Sequence, residues 1–129
     1  YKGMLERRRQ MIERYNEAFK DMNVAVLPHY NEEHTSSGHL YIVRLLGKTR
    51  KETNKVIEMM AERGVATNVH YKPLPMMTAY KKLGFDIKDF PNAFHMFENE
   101  ITLPLNTKMT DEDLEYIISN FVEIVGNLF

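Results

Sequence analysis

Apolar residues recur at helical spacing in the first stretch of the chain, where Leu5, Ile12, Tyr15, Phe19 and Met22 punctuate a charged run between positions 3 and 22. A period of three to four residues places these side chains on one face and predicts an amphipathic helix with a buried stripe. The period then shortens. Val24–Leu27 is a β-prone run stopped by Pro28, and His39–Leu46, rich in β-branched and aromatic residues and ended by Gly47, is the strongest predicted strand. Between them, His29–Gly38 is polar, with paired serines and a glycine, and reads as a mobile loop.

Thr49 and Glu52 have the spacing of a capping box, in which each side chain satisfies a free N–H of the first helical turn. Val56, Ile57 and Met60 give that helix its buried face, and Gly64 supplies a left-handed stop. Val65–His70 is the second predicted strand. Residues 75–83 predict a short helix ended by Leu83-Gly84, Phe90-Pro91 opens a helical segment over Asn92–Asn99, and Ile101–Leu103 is a short strand before Pro104. In the final helix Thr110 and Asp113 form the cap, and Asp111 and Glu112 suit the positive end of its dipole. Leu114, Ile117, Ile118, Phe121, Val122 and Val125 line its expected buried face. The order of elements predicts one small sheet covered by helices.

Composition narrows the function classes. A chain of 129 residues is long enough for one core and short for a two-domain enzyme. Seventeen basic and 18 acidic residues leave a net charge of −1, so no bulk attraction to nucleic acid or an anionic membrane is expected. The run Arg7-Arg8-Arg9 reads as the solvated side of a helix rather than a phosphate grip. The absence of cysteine excludes disulfides, thiolate catalysis and cysteine-rich zinc sites. No apolar stretch approaches the roughly 20 residues that span a bilayer, and with no signal-peptide pattern a cytoplasmic protein is expected. The chain starts at Tyr1 with a charged helical pattern, which is expected of a fragment of a longer chain, or of a processed or incomplete terminus.

The stretch Gly64–Tyr80 carries most of the candidate chemistry. It delivers Asn68, His70, Tyr71 and Lys72 into a loop punctuated by Pro73 and Pro75. On a strand, His70 and Tyr71 face opposite sides of the sheet and Asn68 shares the His70 face. His70 and Lys72 can meet anionic oxygens, and Tyr71 can donate through its hydroxyl. The competing reading is a hydrogen-bonded histidine at a strand end beside a half-buried tyrosine. His29, His34 and His39 are evenly spaced by five, but the first two lie in the polar loop with only Glu32 and Glu33 near, so a metal site is not expected. No serine triad order, P-loop, dinucleotide glycine motif or HExxH element is present. Lysines fall mostly on helix surfaces, and Lys72, which comes closest to a reactive setting, has no evident desolvation. The nine methionines, including Met59-Met60 and Met76-Met77, are expected in the core or an interface.

Several motifs occur in one order: Arg7-Arg8-Arg9 with Tyr15-Asn16-Glu17-Ala18, His39-Leu40-Tyr41, Gly64 with His70-Tyr71-Lys72-Pro73-Leu74 and Tyr80, Phe90-Pro91-Asn92-Ala93, Leu103-Pro104-Leu105, and Thr110-Asp111-Glu112-Asp113. Together, over nearly the whole chain, they resemble the C-terminal part of the PLP-dependent nucleotide-sugar aminotransferases of the DegT/DnrJ/StrS type. The resemblance implies an α/β (α+β) fold, a small, mostly antiparallel sheet covered by helices, as in the C-terminal small domain of fold-type I aminotransferases. It implies that residues 1–129 are that domain alone, without the N-terminal domain that carries the Schiff-base lysine and holds PLP. No residue here is then catalytic, and no PLP is expected on this chain by itself.

By the same resemblance Asn68, His70, Tyr71 and Lys72 contact a nucleotide-linked keto-sugar, which a full-length homodimer aminates, with glutamate as the expected donor. Family members often carry His where Pro75 stands, Pro at Thr78, Glu at Phe94 and Pro at Thr107. An alternative from another class is a stand-alone ligand-binding or interaction module that kept the fold without catalysis. Isolation from the larger domain is expected to expose apolar surface on the first helix and the methionine pairs.

Overall fold

Three strands form one antiparallel sheet in the order β1-β2-β3 in the computed structural model, which describes residues 1–129. They are β1 (Val24–Val26), β2 (Tyr41–Leu45) and β3 (Glu100–Leu103). Five helices accompany them: α1 (Lys2–Phe19), α2 (Arg50–Glu62), α3 (Thr78–Lys82), α4 (Pro91–Phe97) and α5 (Asp111–Leu128). Short 3-10 turns at Leu74–Met76 and Ile87–Asp89 precede α3 and α4. The helices begin where local chemistry places them. Thr49 donates its N–H to Glu52 Oε2 at 2.8 Å and accepts the Glu52 N–H, and Thr110 and Asp113 repeat the exchange at the start of α5. Gly64 ends α2 with φ of 75°, a region costly for residues with a Cβ.

Alternation along the strands divides the sheet into two unlike faces. Tyr41, Val43 and Leu45 of β2 and Ile101 and Leu103 of β3 are buried against α1, α2 and α5. Tyr15 stacks against both Tyr41 and Phe19 within this core, and its hydroxyl donates to the Pro104 carbonyl at 2.8 Å. The other face carries Ile42 paired with Thr102 and Arg44 paired with Glu100. It is covered by loop and by the α4 end of the chain rather than by a long helix: Arg44 donates to Asn99 Oδ1 and to the His95 carbonyl, both at 3.0 Å.

Several expectations are corrected. Val65–His70 is no full strand; a single bridge joins Asn68 to Thr102 at the outer edge of β3. Ile124 of α5 is buried while Val122 is 38% exposed, because the helix turns its stripe towards α1 and α2. Met60 is fully buried and Met59 packs against the core. Met4 of α1 and Met77 are exposed, in line with the expectation, and further exposed apolar surface lies on Tyr71, Leu74, Leu83, Phe85 and Phe90. The arginine run is engaged rather than simply solvated. Arg7 reaches Asp111 at 2.7 Å and the Met109 carbonyl at 2.9 Å, and the Arg9 guanidinium lies over the Tyr30 ring.

The loop expected to be mobile is folded back on itself. Tyr30 bridges Thr35, Asn31 Oδ1 accepts the N–H groups of Glu33 and His34 at 2.8 Å, and Gly38 sits with its φ at 63° against Ile12 and Arg8. His29 lies parallel to Tyr41, with ring centres 5.8 Å apart, and burial pushes its imidazole below the ordinary value of 6.5. The unfolded chain therefore takes up a proton that the folded chain resists. This contribution to stability is complete above 6.5 and is lost as the pH falls below it. Between about pH 7 and pH 5 the urea midpoint is expected to fall, and His29→Phe, which keeps a ring on Tyr41, is expected to flatten that slope. An unchanged slope would assign the acid sensitivity to other groups.

Candidate functional site

The segment after α2 runs beside β3, and one ladder step decides its geometry. Asn68 and Thr102 exchange both backbone hydrogen bonds, at 3.2 and 2.8 Å. An antiparallel register pairing these two residues places His70 opposite Glu100. There the Glu100 carbonyl accepts Arg50 Nη1 at 2.9 Å, and no backbone hydrogen bond joins it to His70. Asn68 Oδ1 also takes the Val69 N–H at 2.8 Å, a local bond that competes with strand pairing. These contacts end the ladder after one bridge.

The four residues singled out in the sequence do not stand in the alternating arrangement of a strand. Asn68 is exposed, and its side-chain oxygen is turned back onto its own backbone rather than set beside the imidazole. His70 is half-buried, and its Nδ1 lies 2.9 Å from the Thr102 hydroxyl oxygen. With Nδ1 engaged, Nε2 is the ring nitrogen left for a ligand. Tyr71 is 71% exposed and meets His70 edge-on, with ring centres 4.7 Å apart, so the two rings touch instead of facing opposite sides. A cis peptide bond joins them. Lys72 is exposed beside them and forms no ion pair.

Beneath this edge lies a set that the sequence reading did not single out. Glu100 and Thr102 are 4% and 6% exposed and share the sheet face under His70. Burial pushes the Glu100 carboxyl above its ordinary value, against the opposing pull of the His70 N–H and the Arg50 guanidinium. Burial likewise lowers Arg50, while Glu100 raises it. Arg50 Nη1 bonds the carbonyls of Phe97 at 2.7 Å and Glu100 at 2.9 Å, and its Nε bonds Asn54 Oδ1 at 2.9 Å. Alternation within Glu100-Ile101-Thr102-Leu103 was the available signal, since it puts an acid and a hydroxyl on the face away from the apolar core.

This arrangement suits binding more than bond cleavage. The Thr102 hydroxyl is buried behind His70, so the imidazole–hydroxyl pair presents no accessible nucleophile. No group of three or more His, Cys, Asp or Glu side chains converges on a point that could hold a metal. His29 instead approaches Ser36 Oγ at 3.3 Å, and His34 approaches the Pro28 carbonyl at 3.2 Å. The residues present do not fit covalent attachment of PLP, because that needs a desolvated lysine. Nine of the ten lysines are exposed, and Lys48 lies 4.0 Å from the centre of the Phe129 ring beside an apolar groove distant in sequence from His70. No helix is long and apolar enough to cross a membrane.

Comparison with known proteins gives a consistent set of relatives. The profile of the DegT/DnrJ/EryC1/StrS aminotransferase family matches residues 1–122. The solved structure of Spr1654 from Streptococcus pneumoniae, a candidate sugar aminotransferase in its PMP form, superposes with a TM-score of 0.97 at 46% identity. That match covers 100% of this chain and 32% of the other. The spore coat polysaccharide biosynthesis protein SpsC of Bacillus subtilis is 29% identical over 127 residues, covering 95% of this chain and 32% of its own. The UDP-4-amino-4,6-dideoxy-N-acetyl-beta-L-altrosamine transaminase of Campylobacter jejuni is 26% identical over 121 residues, covering 94% and 32%. The chain thus spans about a third of the length of the curated relatives it matches.

Proposed function

The chain belongs to the DegT/DnrJ/EryC1/StrS aminotransferase family, and from that premise we propose that it is the C-terminal small domain of a PLP-dependent sugar aminotransferase. In this reading the remainder of the protein, N-terminal to this chain, holds PLP and the lysine that binds it. PLP supplies the electron sink for moving an amino group, and this domain closes over the nucleotide-linked keto-sugar. Asn68, His70, Tyr71 and Lys72 form the sugar-facing edge. The amino donor is glutamate, and the working enzyme is a cytoplasmic homodimer.

One observation carries the site assignment. Thr102 engages His70 Nδ1, and this leaves Nε2, the neighbouring Tyr71 ring and the free Lys72 ammonium on one exposed edge. That combination suits a sugar carrying a diphosphate, with an aromatic face for the ring and hydrogen-bond donors for anionic oxygens.

In the full-length protein, His70→Ala is expected to lower kcat/KM for the nucleotide-sugar about tenfold, the usual loss for one hydrogen bond to a charged group. The visible absorbance of bound PLP is expected to be retained. Equal loss of both would make His70 structural and overturn the assignment.

A further inference from the structure

We propose that Thr102 is the positioning residue of the His70–Tyr71 edge, its buried hydroxyl donating to Nδ1 and so keeping the ring proton on Nε2, the nitrogen left for a ligand. The role of that Nε2–H towards a nucleotide-sugar rests on the function proposed above, whereas the direction of the Thr102–His70 bond stands on the geometry alone. Thr102 is 6% exposed, and its hydroxyl oxygen lies 2.9 Å from Nδ1. The hydroxyl makes no other hydrogen bond. Glu100, two residues along the same strand face, offers the alternative acceptor, yet its Oε1 is buried without a partner. A hydroxyl shut from water with a single neighbour gives its proton to that neighbour or leaves it unpaired at a cost. Nδ1 is then the acceptor, and the proton of the neutral imidazole sits on Nε2.

The strand holds this hydroxyl in place. Thr102 exchanges both backbone hydrogen bonds with Asn68, at 3.2 and 2.8 Å, and stands opposite Ile42 on its other side. Its branched Cβ restricts the side chain further, so the oxygen has few other positions. A valine would fill the same place in β3 with no polar group to satisfy, so packing alone does not call for a hydroxyl. The ring that Thr102 holds is met edge-on by Tyr71, with centres 4.7 Å apart. Nε2 of His70 makes no hydrogen bond and keeps access to solvent, unlike Nε2 of His29, which is buried without a partner. An Nε2–H only donates, as does the ammonium of the exposed Lys72. Together they select a ligand rich in acceptor oxygens, such as a diphosphate, and disfavour a ligand group that must itself donate at this point.

The test is a long-range proton–nitrogen NMR correlation of the 129-residue chain, taken where the His70 ring is neutral. The expected signature is a single tautomer, with Nδ1 bare and Nε2 protonated. Thr102→Val, which keeps the shape and removes the hydroxyl, is expected to move both ring-nitrogen signals towards the average of two interconverting tautomers. Thr102→Ser is expected to restore the single form. A protonated Nδ1 or an averaged pair in the unsubstituted chain overturns the proposal, and so do ring-nitrogen signals that stay unchanged in Thr102→Val. Should Thr102→Val fail to fold, the signals of the unsubstituted chain still decide it. In the full-length protein Thr102→Val is then expected to raise KM for the nucleotide-sugar about threefold with kcat nearly unchanged, and Thr102→Ser to recover most of that loss. A single tautomer lost in Thr102→Val with an unchanged KM would support the hold on the ring and overturn the sugar-facing role of the edge.

Discussion

Phe121→Ala is expected to remove about 3–5 kcal/mol of stability, the usual cost of deleting a buried phenyl ring and leaving a cavity. Phe121 is fully buried on α5, and its ring meets Phe19 of α1 at 5.0 Å between centres. Phe19 in turn stacks on Tyr15, and Tyr15 on Tyr41 of β2. One ring therefore links the two longest helices to the central strand. Domains of this kind are stable by roughly 5–15 kcal/mol, so the loss leaves a substantial unfolded fraction. Equilibrium urea unfolding measures it as a lower midpoint with an unchanged slope. Phe121→Leu, which refills much of the space, is expected to cost much less. A loss below about 1 kcal/mol for the alanine variant would mean that α5 is not anchored through this cluster.

Arg50→Ala is expected to cost about 2–4 kcal/mol, chiefly by leaving buried polar groups unpaired. The guanidinium joins the carbonyls of Phe97 and Glu100 to Asn54 of its own helix, and it lies over the Phe97 ring at 5.3 Å. A lysine cannot span these acceptors, so Arg50→Lys is expected to recover only a small part. The loss should also depend on pH. A carboxyl whose folded value is raised gives its full stability below 4.5 and loses it as the pH rises through the folded value. Without the favourable charge of Arg50 that loss grows, so Arg50→Ala is expected to be most damaging near neutral pH. In a Glu100→Gln background the same substitution is expected to cost less. Additive losses in that double-mutant cycle would show that the two side chains are not coupled.

Much of the fold was legible because its signals are short-range. The boxes at Thr49 with Glu52 and Thr110 with Asp113 close within a single helical turn. The stripe of Ile12, Tyr15 and Phe19 follows helical period, and Tyr41, Val43 and Leu45 follow the period of a half-buried strand. Such patterns depend on neighbours a few residues away. They also carried the family resemblance, which the matched profile over residues 1–122 supports.

The site was only half legible. Asn68, His70, Tyr71 and Lys72 were visible as polar groups before a proline, yet the strand drawn through them reduces to one bridge. That outcome depends on Arg50, 50 residues from the Glu100 carbonyl it occupies, and no local pattern records which donor reaches a distant acceptor first. The same holds for Thr102, which meets His70 across 32 residues, and for Arg7, which reaches Asp111 across 104. By itself the sequence determined the long helices, the caps of α2 and α5 and most of the core-facing stripes, because hydrogen bonds and periodicity within a turn or strand decide them. Only the tertiary structure decided where the edge at His70 leaves the sheet and that Glu100 lies beneath it. Those features are settled by competition among donors and acceptors far apart in the chain.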